Sequence, residues 1–249
     1  QMAGLALVST KSGRMVALAI IATAGGSQTG SVTLWMCSEI GVGLVPACTA
    51  RNVSLDNGVS PFWEVHVASA EDESVVHVVA VDGSKVVLAS CDVGASDACV
   101  TTVVQNPPPG GHVEPVGMVV ADGYVHVAIE WVSQSVAVEL WLFSCGTGGG
   151  AGACSGRLVT GSPGGSNTFS AMRTMAVDRV RGTVTMAVVP DAATSQFVVW
   201  RCVYGSPVGP CDTYTVQRAK EVRWVTITVD EATGHSFVMV GDLGYSAPY

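Results

Sequence analysis

Short runs of alternating apolar and polar residues, each closed by Gly, Pro or Asp, follow one another along this chain. The clearest stretch opens with Met175-Ala176-Val177-Asp178, turns over 179–182 and resumes as Thr183 to Val189. After 190–196 comes Phe197-Val198-Val199-Trp200-Arg201-Cys202. A Gly/Pro loop then leads to Cys211 and to Thr213-Tyr214-Thr215-Val216. Each run is rich in β-branched or aromatic residues and bounded by turn formers, which predicts four antiparallel strands joined as hairpins.

The same frame recurs upstream. Leu5 to Val8, Val16 to Ile20, Val32 to Cys37 and Cys48 to Ala50 make one set. Val65 to Val67, Val75 to Val81, Lys85 to Cys91 and Cys99 to Val104 make a second. Val116 to Val120, Tyr124 to Ile129, Val136 to Cys145 and Cys154 to Thr160 make a third. Trp224 to Val229 and Ser236 to Val240 begin a fifth. Cysteines keep the same period, as the pairs Cys37/Cys48, Cys91/Cys99, Cys145/Cys154 and Cys202/Cys211. Their first members lie 54, 54 and 57 residues apart, and the gaps within pairs are 11, 8, 9 and 9.

A four-stranded antiparallel unit at this period is the pattern of a β-propeller blade. The expectation is one all-β propeller domain over 1–249. Its units are 1–58, 59–110, 111–165 and 166–220, with a partial fifth at 221–249. In the third strand, Trp35, Phe143 and Trp200 stand two residues before a cysteine, so each shares a face with it. Each cysteine pair is then a hairpin disulfide between third and fourth strands, contributing about 2–3 kcal/mol by closing a short loop. Four local pairs also point to an oxidising compartment. Zinc is the weaker reading, since ligand pairs sit closer together than these.

The turns Val177-Asp178…Gly182, Val229-Asp230…Gly234 and Ala121-Asp122-Gly123, with the four cysteine loops, carry a resemblance. The unit resembles the extracellular propeller repeats of bacterial and algal surface proteins. That resemblance implies a propeller fold and a cell-surface location, and it implies no activity. The fifth unit lacks its third and fourth strands in this sequence. Either further sequence or another chain would complete it, because an unpaired strand edge is normally covered. Strand addition between copies would propagate head to tail.

Composition narrows the partners. Charged residues are 13% and the net charge is −8 with twelve Lys plus Arg. No basic stripe exists for nucleic acid or anionic membranes. The charge-free stretch Met15 to Ser38 is interrupted at 25–30, which leaves too few continuous apolar residues for the roughly 20 of a membrane helix. No signal-peptide pattern is legible, and Gln1 reads as a processed or artificial start. Asn52-Val53-Ser54 is an N-glycosylation sequon.

Candidate chemistry is sparse. Asp82, Glu130, Asp191 and Asp242 follow the second strands of four units, where a propeller gathers connections on one face. Converging carboxylates there would bind a cation or act as an acid/base pair, although Asp also favours turns for backbone reasons. Trp131, directly after Glu130, is the aromatic placed for glycan contact, while Trp141 and Trp200 read as core. His77 and His126 occupy equivalent places in second strands and read as strand-face residues without a third metal ligand. The S-x-D-x-G-x-x-W turns and arginine cluster of sialidases are absent, and the arginines sit at non-equivalent positions. No G-x-S-x-G or phosphate loop exists.

These readings lead to an extracellular structural or adhesive module, without a metal or cofactor and not an enzyme. Its partner is another protein, a further copy of itself included, or a glycan. The alternative is a glycan-binding or sialidase-like glycoside-hydrolase propeller using the acidic face.

Overall fold

The computed structural model describes residues 2–9, 15–23, 30–38, 47–55, 65–94, 99–106, 111–132, 138–147, 154–162, 174–188, 196–205, 208–218, 222–230 and 232–242. The alternating runs are strands. The first sheet orders β1 (Met2–Ser9), β2 (Met15–Thr23), β3 (Gly30–Ser38) and β4 (Ala47–Val53). The second orders β5 (His66–Ser69), β6 (Val75–Asp82), β7 (Lys85–Asp92) and β8 (Val100–Gln105). The third holds β9 (His112–Ala121), β10 (Tyr124–Val132), β11 (Val138–Gly146) and β12 (Ser155–Ser162) in the same sequential order. The fourth runs β13 (Thr174–Asp178), β14 (Thr183–Val188), β15 (Gln196–Val203) and β16 (Cys211–Gln217). The fifth is β17 (Val222–Val229) paired with β18 (Ser236–Asp242).

Every pairing is antiparallel between strands adjacent in sequence. First strands pack on first strands, β1 on β5, β5 on β9, β9 on β13 and β13 on β17. Sheets that share an inner line of first strands and stack face to face are the blades of a β-propeller. There are four complete blades and half of a fifth among the described residues. No packing of similar extent joins β17 or β18 to β1–β4 there. No helix is long and apolar enough to cross a membrane.

The period of two explains the stacking. In β6, Val76, Val78 and Ala80 join the core shared with the first sheet, while Val79 and Val81 join the core shared with the third. In β10, Val125, Val127 and Ile129 face back and Ala128 faces forward onto the fourth sheet. Val222, Val225 and Ile227 of β17 close the last core against Ala187 and Phe197. Each fully buried Val or Leu contributes about 1.5–3 kcal/mol, so the four inter-sheet cores dominate the fold.

Strand limits differ in places. β4 runs on to Val53 because Val53 is buried in the first core. β9 begins before Val116 and includes Pro115. It is an edge strand, and its register shifts opposite Ala128/Ile129, where a missing N–H is tolerated. The part of the third-unit run at 133–137 lies outside the described residues.

The turns after β13 and β17 are each built by an acid and a glycine. Asp178 Oδ1 accepts from the Arg181 backbone N–H at 3.0 Å, and Gly182 and Gly234 adopt φ of 64° and 67°, which only glycine enters without strain. All four cysteine pairs are bonded disulfides across the third-to-fourth-strand loops.

Candidate functional site

The repeat makes equivalent positions comparable from blade to blade. In the third strands, the residue two before each cysteine faces the preceding blade. Ala89, Phe143 and Trp200 there are buried, Trp200 at 3% exposure, in the first, second and third inter-sheet cores. Trp35 holds the same position in the first blade and is 39% exposed. Val32, Leu34 and Met36 turn to the second sheet, so Trp35 lies on the opposite face, with the Cys37–Cys48 disulfide.

The far end mirrors this. Ala17, His77, His126 and Thr185 occupy one row of the second strands, facing the following blade, and all are fully buried. Register continues that row at Phe237: Val184 opposes Val177 as Ser236 opposes Val229. Ala19, Val79, Ala128 and Ala187 form the next row, again buried, and Met239 continues it. Phe237 is 56% and Met239 61% exposed, because Val238 and Val240 are the pair that packs on the fourth sheet. The first and last sheets therefore each present an inter-blade face, apolar in type and uncovered among the described residues.

Within the body, the buried row is polar in three blades, with histidine in two of them and Thr185 in the third. His77 Nδ1 lies 2.9 Å from Ser90 Oγ and His126 Nδ1 2.7 Å from Ser144 Oγ. The Nε2 atoms are buried with no hydrogen-bond partner among the described residues. Burial lowers both pKa values to about 4, with the Asp122 charge opposing the shift at His126. Both imidazoles are thus neutral at physiological pH. Ser144 is buried, so its pairing with His126 holds strands together and exposes no nucleophile.

A polar belt ties the turns of different blades together. Glu71 Oε1 accepts from Arg179 Nε at 3.0 Å and from the Asp122 backbone N–H at 3.2 Å, which links the second, third and fourth sheets. The Tyr204 hydroxyl donates to Asp122 Oδ2. Burial, then that bond and the Asp122 charge, push the phenol up to about 12. Arg181 Nη1 reaches both Asp178 Oδ2, at 2.8 Å, and the Gly234 carbonyl of the fifth sheet. Burial raises Asp178, but the Arg181 bonds and the charges of Arg181 and Arg201 bring it below the ordinary carboxylate value. Arg179 and Arg181 thus both bind protein groups in this belt. Nothing in the one-dimensional repeat marks them, since each acts across blades.

The acidic set is distributed differently from the expected cluster. Asp82 lies on the side of β6 that faces the first sheet and lines a shallow recess with Ser54, Leu55 and Lys85. Glu130 is completely buried on the side of β10 that faces the fourth sheet. Strand alternation thus sends the two carboxylates to opposite sides of neighbouring blades, and they do not converge. Asp191 lies outside the described residues, and Asp242 ends β18 with its side chain outside them. Trp131 is half-buried, its ring 5.6 Å from that of Trp141, and both pack on the core between the second and third sheets. No group of three or more His, Cys, Asp or Glu suited to a metal occurs among the described residues.

No family model matches the sequence, and no curated protein matches it. Solved structures are similar in fold. A thermostable family-43 glycoside hydrolase aligns over 98% of this chain and 84% of its own, at 13% identity and a TM-score of 0.51. A Synechocystis apocarotenoid oxygenase variant aligns over 96% of this chain and 56% of its own, at 10% identity and TM-score 0.51. A subtype N11 neuraminidase-like protein of A/flat-faced bat/Peru (H18N11) aligns over 94% and 80%, at 10% identity and TM-score 0.37. What the first two share with the chain is its propeller fold. The expectation that the chain is not an enzyme is corrected by these neighbours. A fold shared with a glycoside hydrolase and an oxygenase gives no ground for excluding catalysis.

Proposed function

We propose that the chain is an extracellular structural module that joins copies of itself head to tail. The fifth sheet of one copy meets the first sheet of the next. The observation that carries this reading is the contrast within the repeat. Rows fully buried between successive blades emerge at Phe237 and Met239 on the last sheet, and the row of Trp200 emerges at Trp35 on the first. Each exposed face is half of an interface of the kind the chain already forms four times. A forward face and a backward face are complementary and different, so the contact is heterologous and repeats unless a ring closes.

The edge supports the same reading. β18 is the outer strand of a two-stranded sheet, and β16, the outer strand of the fourth sheet, has Tyr214 and Val216 exposed on the face turned toward the fifth sheet. Strands added along β18 from a neighbouring copy would complete the blade and cover these two residues. Contiguous exposed apolar surface of this kind marks interaction sites. Four disulfides fit an oxidising, extracellular setting.

Sedimentation and negative-stain microscopy of the purified chain test it. Concentration-dependent oligomers or fibres are expected, and Trp35→Glu or Phe237→Glu alone abolishes them. Because the interface is heterologous, a mixture of the two variants forms dimers through the one intact pair of faces. A chain that stays monomeric across the concentration range, with both variants indistinguishable from it, removes the proposal.

A further inference from the structure

Asn52 lies on the same face as Trp35. Register sets Asn52 opposite Thr33 and Ala50 opposite Trp35, while Arg51 and Val53 turn to the second sheet. Asn52 is exposed in the outermost strand of the first blade, and Thr33 Oγ1 donates to its Oδ1 at 3.1 Å, which leaves Nδ2 for a covalent bond. Ser54, the hydroxyl residue of the sequon Asn52-Val53-Ser54, is exposed as well. Same-face diagonal neighbours on a sheet stand about 7 Å apart, within reach of an aromatic ring. An indole with a large exposed fraction, one lattice step from a glycan acceptor, offers a flat apolar surface to the first sugar.

We infer that Asn52 carries an N-linked glycan, that its first sugar packs on Trp35, and that this glycan caps the first sheet. In the transfer, Asn52 Nδ2 bonds to the anomeric carbon of a lipid-pyrophosphate-linked oligosaccharide. The bond from that carbon to the pyrophosphate oxygen breaks, the pyrophosphate keeps the electron pair, and the amide loses one proton. The consequence rests on the stacking reading given above. A glycosylated copy offers only its fifth sheet, so it joins a stack at one end and stops growth there. Repeat arrays end in the same way, with a polar outer face on the terminal unit. The level of Asn52 occupancy then sets assembly length.

The test uses the full chain secreted from eukaryotic cells, beside Asn52→Gln and Ser54→Ala. Intact mass before and after an N-glycan amidase is expected to show one glycan at Asn52 in the unchanged chain and none in either variant. Sedimentation is expected to show longer assemblies for both variants, shortened in proportion to the glycosylated chain added. Trp35→Ala is expected to leave the attached glycan more rapidly trimmed by exoglycosidases, because its first sugar loses its platform. An unmodified Asn52 overturns the inference and leaves the stacking reading standing. A glycan at Asn52 with equal assembly of all forms overturns the cap alone. No assembly from any form overturns the stacking reading and the cap with it.

Discussion

Trp35 and Trp200 occupy the same position in the first and fourth blades, two residues before a bridged cysteine, yet one is 39% exposed and the other 3%. Their strands, registers and disulfides match. The difference is the presence of a preceding sheet: Trp200 fits against Leu140, Leu142 and Val138 of the third blade, and Trp35 has no such cover among the described residues. What a position contributes in this repeat is therefore decided by its neighbour blade more than by its own strand.

The largest effect that tests the comparison is truncation at the two tryptophans. Trp200→Ala is expected to destabilise the chain by about 3–5 kcal/mol, the usual range for emptying a packed aromatic site. Trp35→Ala is expected to stay below about 1 kcal/mol under conditions where the chain is monomeric. Urea denaturation reads both, and equal losses would mean that Trp35 is covered in solution.

The next contrast is in acid. His77 and His126 are held neutral between blades with pKa values of about 4, against an ordinary 6.5. The unfolded chain binds their protons first, so the stabilisation is complete above about pH 6.5 and is lost as pH falls toward about 4. The magnitude is about 3 kcal/mol per histidine. Phe237 continues that row on the open face, so Phe237→His is expected to titrate near its ordinary value and to leave the pH dependence of unfolding unchanged. NMR titration of the histidines measures the pKa values, and urea denaturation across the same pH range measures the stability.

Disulfide loss gives a somewhat smaller effect that ought to ignore the contrast. Replacing Cys37 and Cys48, or Cys202 and Cys211, by serine is expected to cost about 2–3 kcal/mol in either case. The loops are similar in length, with sequence separations of 11 and 9, and the benefit arises mainly in the unfolded chain. A markedly larger loss at the buried Cys202 pair would show that native packing contributes as well. The smallest effect belongs to the turn belt. The Arg179–Glu71 pair at 3.0 Å is partly exposed on both sides, and a double-mutant cycle with Arg179→Ala and Glu71→Ala is expected to give under about 1 kcal/mol, weakening with salt.

The candidate chemistry shows where the linear pattern stopped being informative. Asp82 and Glu130 look equivalent as acids that end second strands. A one-residue offset in strand position puts them on opposite sides of their blades. Arg179, Arg181 and Tyr204 carry no linear mark of their roles, because their partners Glu71, Gly234 and Asp122 lie in other blades.

Strands, hairpin pairing, the four bridges and the blade period were legible in the sequence, because each rests on residues within a few positions or one loop of each other. Alternation and turn chemistry act at that range. Which faces are core and which stay uncovered among the described residues was decided only by the tertiary structure, because cover comes from a sheet some fifty residues away. A tryptophan carries no local mark of whether that sheet is there.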